Sequence, residues 1–410
     1  MAILLGLALP LLLWRFFVLG GGRALLAQAR RPLGLSLIVL FCWWGVTAAL
    51  SVTPARSLPI WGRSLVFVLL AAALAHVLAV EPHLRRIALR SLALGFALAA
   101  VAVLVLLYGF DHRADPTLKA YYSAVACLAP VLLLLGTAAA GWRRWALWSL
   151  TGMTPVLALN GFASPFISAS AVAGLGLGLL TVVGFLVLRP LRRWARAVLV
   201  VGGAAGAIMA GLLYLTTLPK PLGLTTIDMT RMTSGVMARS FQHREVIWGA
   251  VRQIIPKVWL LGVGQDAIDH LPESRRLVTL MWPDQVLTVP VVSSHPHNWI
   301  LEVTVETGFP GLLALSVVLL LLLREPAGRA FQGDAAAWAA LGLFGVFWGS
   351  SLANFSFWAA WWQVTFLTLL ALLSAARALP LPSGAPEPGA LAAAATSGGD
   401  GPALHGPALR

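Results

Sequence analysis

The chain has 410 residues, of which 59% are hydrophobic and only 11% charged, with a net charge of +14. A soluble domain usually carries about 25% charged residues, so a water-soluble globular fold is excluded. The basic excess does not indicate nucleic acid, because most arginines fall in short loops between apolar runs, where they set topology and meet anionic headgroups.

Eleven apolar segments follow in chain order, near 2–20, 33–52, 60–80, 87–109, 119–140, 144–160, 166–188, 195–217, 299–323, 335–351 and 353–376. A bilayer core about 30 Å thick needs about 20 apolar residues as a helix. Lipid offers backbone groups no partners, and these runs lack the polar alternation of a barrel, so they are helices. The expected fold class is an all-α polytopic membrane protein of about 11–12 transmembrane helices with one large external loop. The opening run has no basic leader or small-residue cleavage site, so it reads as a first span interrupted by Arg15.

Basic residues mark every second loop: Arg30 and Arg31, then Arg85, Arg86 and Arg90, then Arg143 and Arg144, then Arg189, Arg192, Arg193 and Arg196. The positive-inside rule places these in the cytoplasm. Residues 1–218 are then N-terminal spans, 219–298 a periplasmic loop with short helices, 299–376 C-terminal spans, and 377–410 a disordered cytoplasmic tail rich in Pro, Gly and Ala. The alternation puts the N-terminus outside for eleven spans, or requires a further short or re-entrant element within 1–29.

Cys42 and Cys127 lie in apolar segments without CxxC spacing, so they read as packing residues. Gly174, Gly176 and Gly178 sit inside a span with no strand before them, which excludes a dinucleotide loop. No outer-loop carboxylate cluster has coordination spacing; Asp266 and Asp269 lack a third acidic neighbour. We therefore expect no metal and no cofactor.

The polar residues gather in the external loop and the span after it. Arg239-Ser-Phe-Gln-His243-Arg244-Glu-Val-Ile-Trp248 opens a helical stretch expected to stop at Pro256, with Arg244, Trp248 and Arg252 on one face. Gly262-Val-Gly264 is a tight turn, followed by an expected short helix over 265–271. His295-Pro-His297-Asn298 then leads into the next span, where Asn298, Glu302 and Glu306 recur every four residues. Acidic residues on a span are costly unless they meet a cavity or a basic partner, so arginines are the expected partners. Forked arginines also suit a diphosphate, and a histidine at the surface suits removal of a hydroxyl proton near neutral pH.

His297-Asn298, nine residues, Gly308, two residues, Gly311 resembles the signature of the O-antigen ligase family. Arg244-x-x-x-Trp248 with Gly262-x-Gly264 resembles that family's external loop, and the 43–63 stretch with Ser51 is similar to its N-terminal half. The resemblance implies a membrane-embedded glycosyltransferase of the GT-C-like type. It would move a glycan from undecaprenyl diphosphate to the lipid A-core oligosaccharide at the periplasmic face of the bacterial inner membrane. His297 would be the base and Arg244 a diphosphate contact, with Arg239, Asn298, Arg56, Arg63 and Glu302 as further substrate-site residues. Ser164 is followed by Pro165, where family members often carry Ser-Arg. A polymerase or a protein O-oligosaccharyltransferase of the same superfamily fits the same motifs. A lipid-carrier flippase would need internal symmetry that the sequence does not show.

Overall fold

The structure is a computed structural model describing residues 2–109, 116–139, 141–163, 169–218, 226–228, 236–281, 286–353 and 355–376. The expected tail and the Ser164-Pro165 position lie outside the described residues.

Among the described residues thirteen α-helices follow one another: α1 (Ala2–Val18), α2 (Gly21–Ala29), α3 (Pro32–Ala49), α4 (Pro54–Val80), α5 (Pro82–Gly109), α6 (Pro116–Ala138), α7 (Trp142–Ala163), α8 (Ala169–Leu188), α9 (Arg193–Thr217), α10 (Val236–Val258), α11 (Trp299–Ala330), α12 (Ala335–Ser350) and α13 (Ala360–Ala375). Prolines open α3, α4, α5 and α6; a missing N–H costs nothing at a first helical position, and the fixed φ suits it. Asn298 and Asp334 cap α11 and α12, each accepting two backbone N–H bonds.

Five helices are long and apolar enough to cross a membrane, within α3, α4, α5, α8 and α11. Residues 121–137, α12 and α13 are shorter apolar helices. The protein is an all-α polytopic membrane protein. Near the N-terminus, α1 and α2 form a pair bent by 80°, hinged where Gly20 takes a left-handed conformation. That bend lies within 1–29, where the charge alternation allowed for a short extra element.

The largest apolar core joins α4, α5, α6, α8, α12 and α13, with Phe347 stacked on Trp362 and Phe366 at 4.5 and 4.4 Å. In α8 two of the glycines serve close packing: a Cβ at Gly174 would stand 2.6 Å from Val346 O of α12, and one at Gly178 2.4 Å from Val346 Cγ2.

The segment expected to be a loop with short helices holds more than that. Helix α10 has 23 residues and passes through Pro256 to Val258. The expected 265–271 helix is reduced to a single 3-10 turn, Ile268–His270. A three-stranded sheet is also present, β1 (Thr226–Asp228), β2 (Leu277–Met281) and β3 (Val286–Pro290), in the order β1-β2-β3. β1 and β2 are parallel, and β2 and β3 antiparallel with Thr279 opposite Thr288. Val278 and Leu280 alternate inward and share a core with Val246, Ile247, Val251 and Ile254 of α10 and with Leu301 and Val305 of α11. The first turns of α11 therefore belong to the packing of this head.

Candidate functional site

The site is built around a break in α11. Gly308 has φ 72° and ψ 173°, and Pro310 follows two residues later. A proline in a helix lacks the N–H that would reach the carbonyl four residues back, and its ring crowds that carbonyl; here the residue four back is Glu306. The kink releases successive carbonyls, and buried carbonyls need donors. Val263 N–H donates to Val305 O at 3.0 Å and Gly264 N–H to Glu306 O at 2.9 Å. The indole of Trp43 donates to Thr307 O at 2.8 Å. In return Phe309 N–H donates to Trp259 O at 2.7 Å.

This exchange explains the glycine spacing. Gly262, Gly264 and Gly308 all have positive φ, at 71°, 98° and 72°. A Cβ on them would stand 2.3 Å from Glu306 C, 2.0 Å from Ser51 Oγ and 1.9 Å from Leu260 O respectively. Only a residue without Cβ fits such contacts in that conformation.

The same loop is gripped from the other side by the start of α4. Ser51 donates to Val263 O at 2.9 Å and Ser57 to Gln265 O at 2.8 Å. Val52 N–H donates to Val263 O at 3.0 Å. Arg56 pairs with Asp266 at 2.8 Å and with Asp269 at 3.2 Å.

Glu302 and Glu306 are fully buried one turn apart. Glu302 accepts from the Ser356 hydroxyl, and from Phe357 N–H at 2.8 Å. Glu306 accepts from Asp266 N–H at 2.8 Å and from the Trp358 indole. The arginine partners expected for these carboxylates are not the ones found. A serine, an indole and two backbone amides serve them instead. Fixed dipoles here take the place of a counter-ion at both oxygens of Glu302 and at Oε2 of Glu306, while Glu306 Oε1 is buried with no hydrogen-bond partner among the described residues.

His297 stands directly above, half-buried, with a left-handed φ of 54°. A non-glycine residue there is uncommon, and such strain clusters at functional sites. Its conformation is fixed on both sides. Asn298 caps α11 by accepting from Ile300 and Leu301 N–H. The Trp248 indole of α10 donates to Pro296 O at 2.8 Å. The His295 and His297 rings lie 4.1 Å apart, and His295 Nδ1 is 2.9 Å from Ser294 Oγ. Arg244 is one turn before Trp248 and therefore on the same face of α10; it is 3% exposed. Burial holds its pKa below the ordinary guanidinium value. Burial, and then the charge of Arg244, hold the neighbouring His243 below the ordinary imidazole range.

Residues 156–316 match the family model described as O-antigen ligase. That segment is similar to the O-antigen ligase family, and it covers less than half of the chain. The match takes in Arg239, Arg244, Gly262, Gly264, His297, Asn298, Glu302, Glu306, Gly308 and Gly311, and stops short of Arg56 and Arg63. No curated protein matches the chain. The match points to an enzyme of the O-antigen ligase/polymerase kind.

Within that family segment the structure joins Arg244, His297, Asn298 and the two glutamates through α10 and the head of α11. Arg239 is on the first turns of α10, but its side chain lies outside the described residues. Arg56 is engaged with Asp266 and Asp269. Arg63 donates to Trp358 O at 2.5 Å, beside the indole that serves Glu306. Arg56 thus braces the matched segment from outside it, and Arg63 holds the backbone of Trp358, which also lies outside it. Sequence reasoning passes over Gln265, Ser57, Ser356, the bracing role of Asp266 and the polar role of Trp358. The one signal for Trp358 is an aromatic cluster, which reads as a membrane belt or packing.

Proposed function

We propose that the protein transfers a glycan from undecaprenyl diphosphate to a hydroxyl of the lipid A-core oligosaccharide, at the periplasmic face of the inner membrane, in a single displacement. The acceptor O–H bond breaks and its proton passes to an imidazole nitrogen of His297. The acceptor oxygen bonds the anomeric carbon, and the bond from that carbon to the diphosphate oxygen breaks with its electron pair leaving on the diphosphate. Arg244 stabilises that charge, and the product has inverted anomeric configuration. Asn298 fixes the histidine by capping α11, Glu302 anchors the segment beneath, and Arg239, Arg56 and Arg63 line or brace the donor side.

The observation that carries this reading is the strained backbone of His297, clamped between the α11 cap and Trp248, with buried Arg244 on the same face of α10. A buried guanidinium acts in low dielectric, where charge stabilisation is strongest. The charge alternation of the loops supports the periplasmic side.

A deletion strain tests it through its lipopolysaccharide. Uncapped core with accumulated lipid-linked polymer is the expected outcome. Short chains still joined to core would indicate a polymerase instead. Unaltered lipopolysaccharide with an unglycosylated protein acceptor would indicate protein-directed transfer.

A further inference from the structure

Helix α11 changes its surroundings at Gly308. From Leu301 to Gly308 every residue is buried. Beyond the kink one face is open, with Phe309, Leu313, Val317 and Leu320 exposed by 55, 55, 40 and 67%. Their spacing is that of one helical stripe, and large apolar side chains open along one stripe are what a span shows to lipid. The apolar stripe below the kink runs over residues 309–323, about 22 Å at roughly 1.5 Å per residue, and Arg324 and Glu325 mark its far end.

A second element gives the same level. α3 starts after Arg30 and Arg31, and its 18 residues measure about 27 Å. The turn that ends it holds Val52, whose N–H reaches Val263 O, while Val263 N–H reaches Val305 O. Two spans thus reach one bilayer surface at the height of the kink, and residues 299–308 rise about 15 Å above it.

At that height three consecutive apolar residues after α10 stand open: Trp259, Leu260 and Leu261, exposed by 56, 46 and 38%. They continue the stripe directly, since Trp259 O accepts from Phe309 N–H. On the polar side of the patch, Lys257 pairs with Glu273 at 2.8 Å. An apolar turn with an indole beneath an ion pair matches the headgroup–acyl boundary.

We infer that residues 259–261 are a bilayer anchor, inserted into the lipid boundary on the side where α3 ends. The occupant of the patch is phospholipid, identified by the patch's continuity with the lipid-facing stripe and its level with two span ends. The anchor holds α10 at a fixed height over the membrane. Its consequence for catalysis, that Arg244 is set at the depth of a lipid diphosphate, rests on the proposed transferase reading; the anchor itself does not.

The test reads depth, not activity, so the two readings fail separately. Full-length protein carrying Cys42→Ser, with buried Cys127 retained, receives Leu260→Cys and an environment-sensitive fluorophore. It is reconstituted in vesicles of phosphatidylethanolamine and phosphatidylglycerol. Leu261→Cys is the second anchor probe, and Ser293→Cys, at an exposed position of the head, is the aqueous reference. Fluorophores at 260 and 261 should emit blue-shifted relative to 293, lose most of their emission to lipids with a quencher high on the acyl chain, and resist aqueous iodide. The fluorophore at 293 should show the reverse. Iodide quenching at 260 and 261 equal to that at 293 overturns the anchor. Protection from both quenchers overturns it too, because protein and not lipid would then cover the patch.

Discussion

Two glycine-lined contacts in this molecule look alike in sequence and differ in physics. Where α8 meets α12, Gly178 lets two helices approach until side chains touch, and both helices keep their own hydrogen bonds. Where the 262–264 turn meets α11, the glycines carry positive φ, and the turn's N–H groups replace helical donors lost at Gly308 and Pro310. The first contact gains dispersion alone. The second is an exchange of backbone hydrogen bonds, so losing its geometry strands polar groups in a buried place. The candidate site stands on the second kind, which is how a kink so close to His297 keeps its buried carbonyls paired.

Substitutions at the kink and on the open face of α8 give the largest separation. Gly308→Ala forces a Cβ to within 1.9 Å of Leu260 O in a left-handed conformation. It should abolish transfer and lower the thermal unfolding midpoint of detergent-purified protein. Gly176→Ala in α8 meets nothing within 4 Å and should change neither. Equal tolerance at both positions would remove the special demand for glycine at 308.

The next effect belongs to His297, where chemistry and strain separate. A positioned base contributes about 10²–10⁴-fold to rate, so His297→Ala should lose turnover by that order in an assay with lipid-linked glycan and core acceptor. A non-glycine residue in a sparsely populated backbone region costs about 1–3 kcal/mol. His297→Gly should therefore lose the same turnover yet unfold at a higher temperature than the parent. His295→Ala should be comparatively mild. Near-normal turnover in His297→Ala, or collapse in His295→Ala alone, would move the base.

Much of this architecture is legible in the sequence. Prolines announce the starts of α3 to α6, because their missing N–H is harmless there. The four-residue recurrence of Asn298, Glu302 and Glu306 announces one helical face, since that spacing is set by the helix. The His–Asn–Gly–Gly spacing points to the site. What stays hidden are partners remote in sequence: Glu302 takes Ser356 and Phe357, and Glu306 takes Trp358 and Asp266. Local periodicity carries no information about a contact across fifty residues. The strands are hidden for another reason. They are short and lie between polar clusters, so a search for charge passes over the alternation of Val278 and Leu280.

Arg244 should show a smaller effect than His297. In the proposed reaction its guanidinium acts on the diphosphate both when the donor binds and when it leaves, so Arg244→Ala should raise KM and lower kcat together. Arg244→Lys should recover only part, because an ammonium is a point charge and cannot form the fork. A change confined to kcat would show that Arg244 does not hold the ground-state donor.

The smallest expected effect is none at all, and it concerns divalent metal. Asp266 and Asp269 are the carboxylates of the head placed best for an ion, and Arg56 already lies 2.8 and 3.2 Å from them. Arg56 is about a third exposed at its side chain, and pairs of that exposure contribute about 0–1 kcal/mol, so their purpose is position more than stability. Asp266 also gives its N–H to Glu306, which ties the pair to the kink. Transfer by purified protein should then be the same in excess EDTA as without it. Arg56→Ala should lower turnover modestly, by loosening the 262–266 turn, and should remain insensitive to chelator. Abolition of the parent's activity by EDTA, with rescue by magnesium or manganese, would reassign Asp266 and Asp269 from bracing the turn to holding an ion, and would make Arg56 a competitor for that ion.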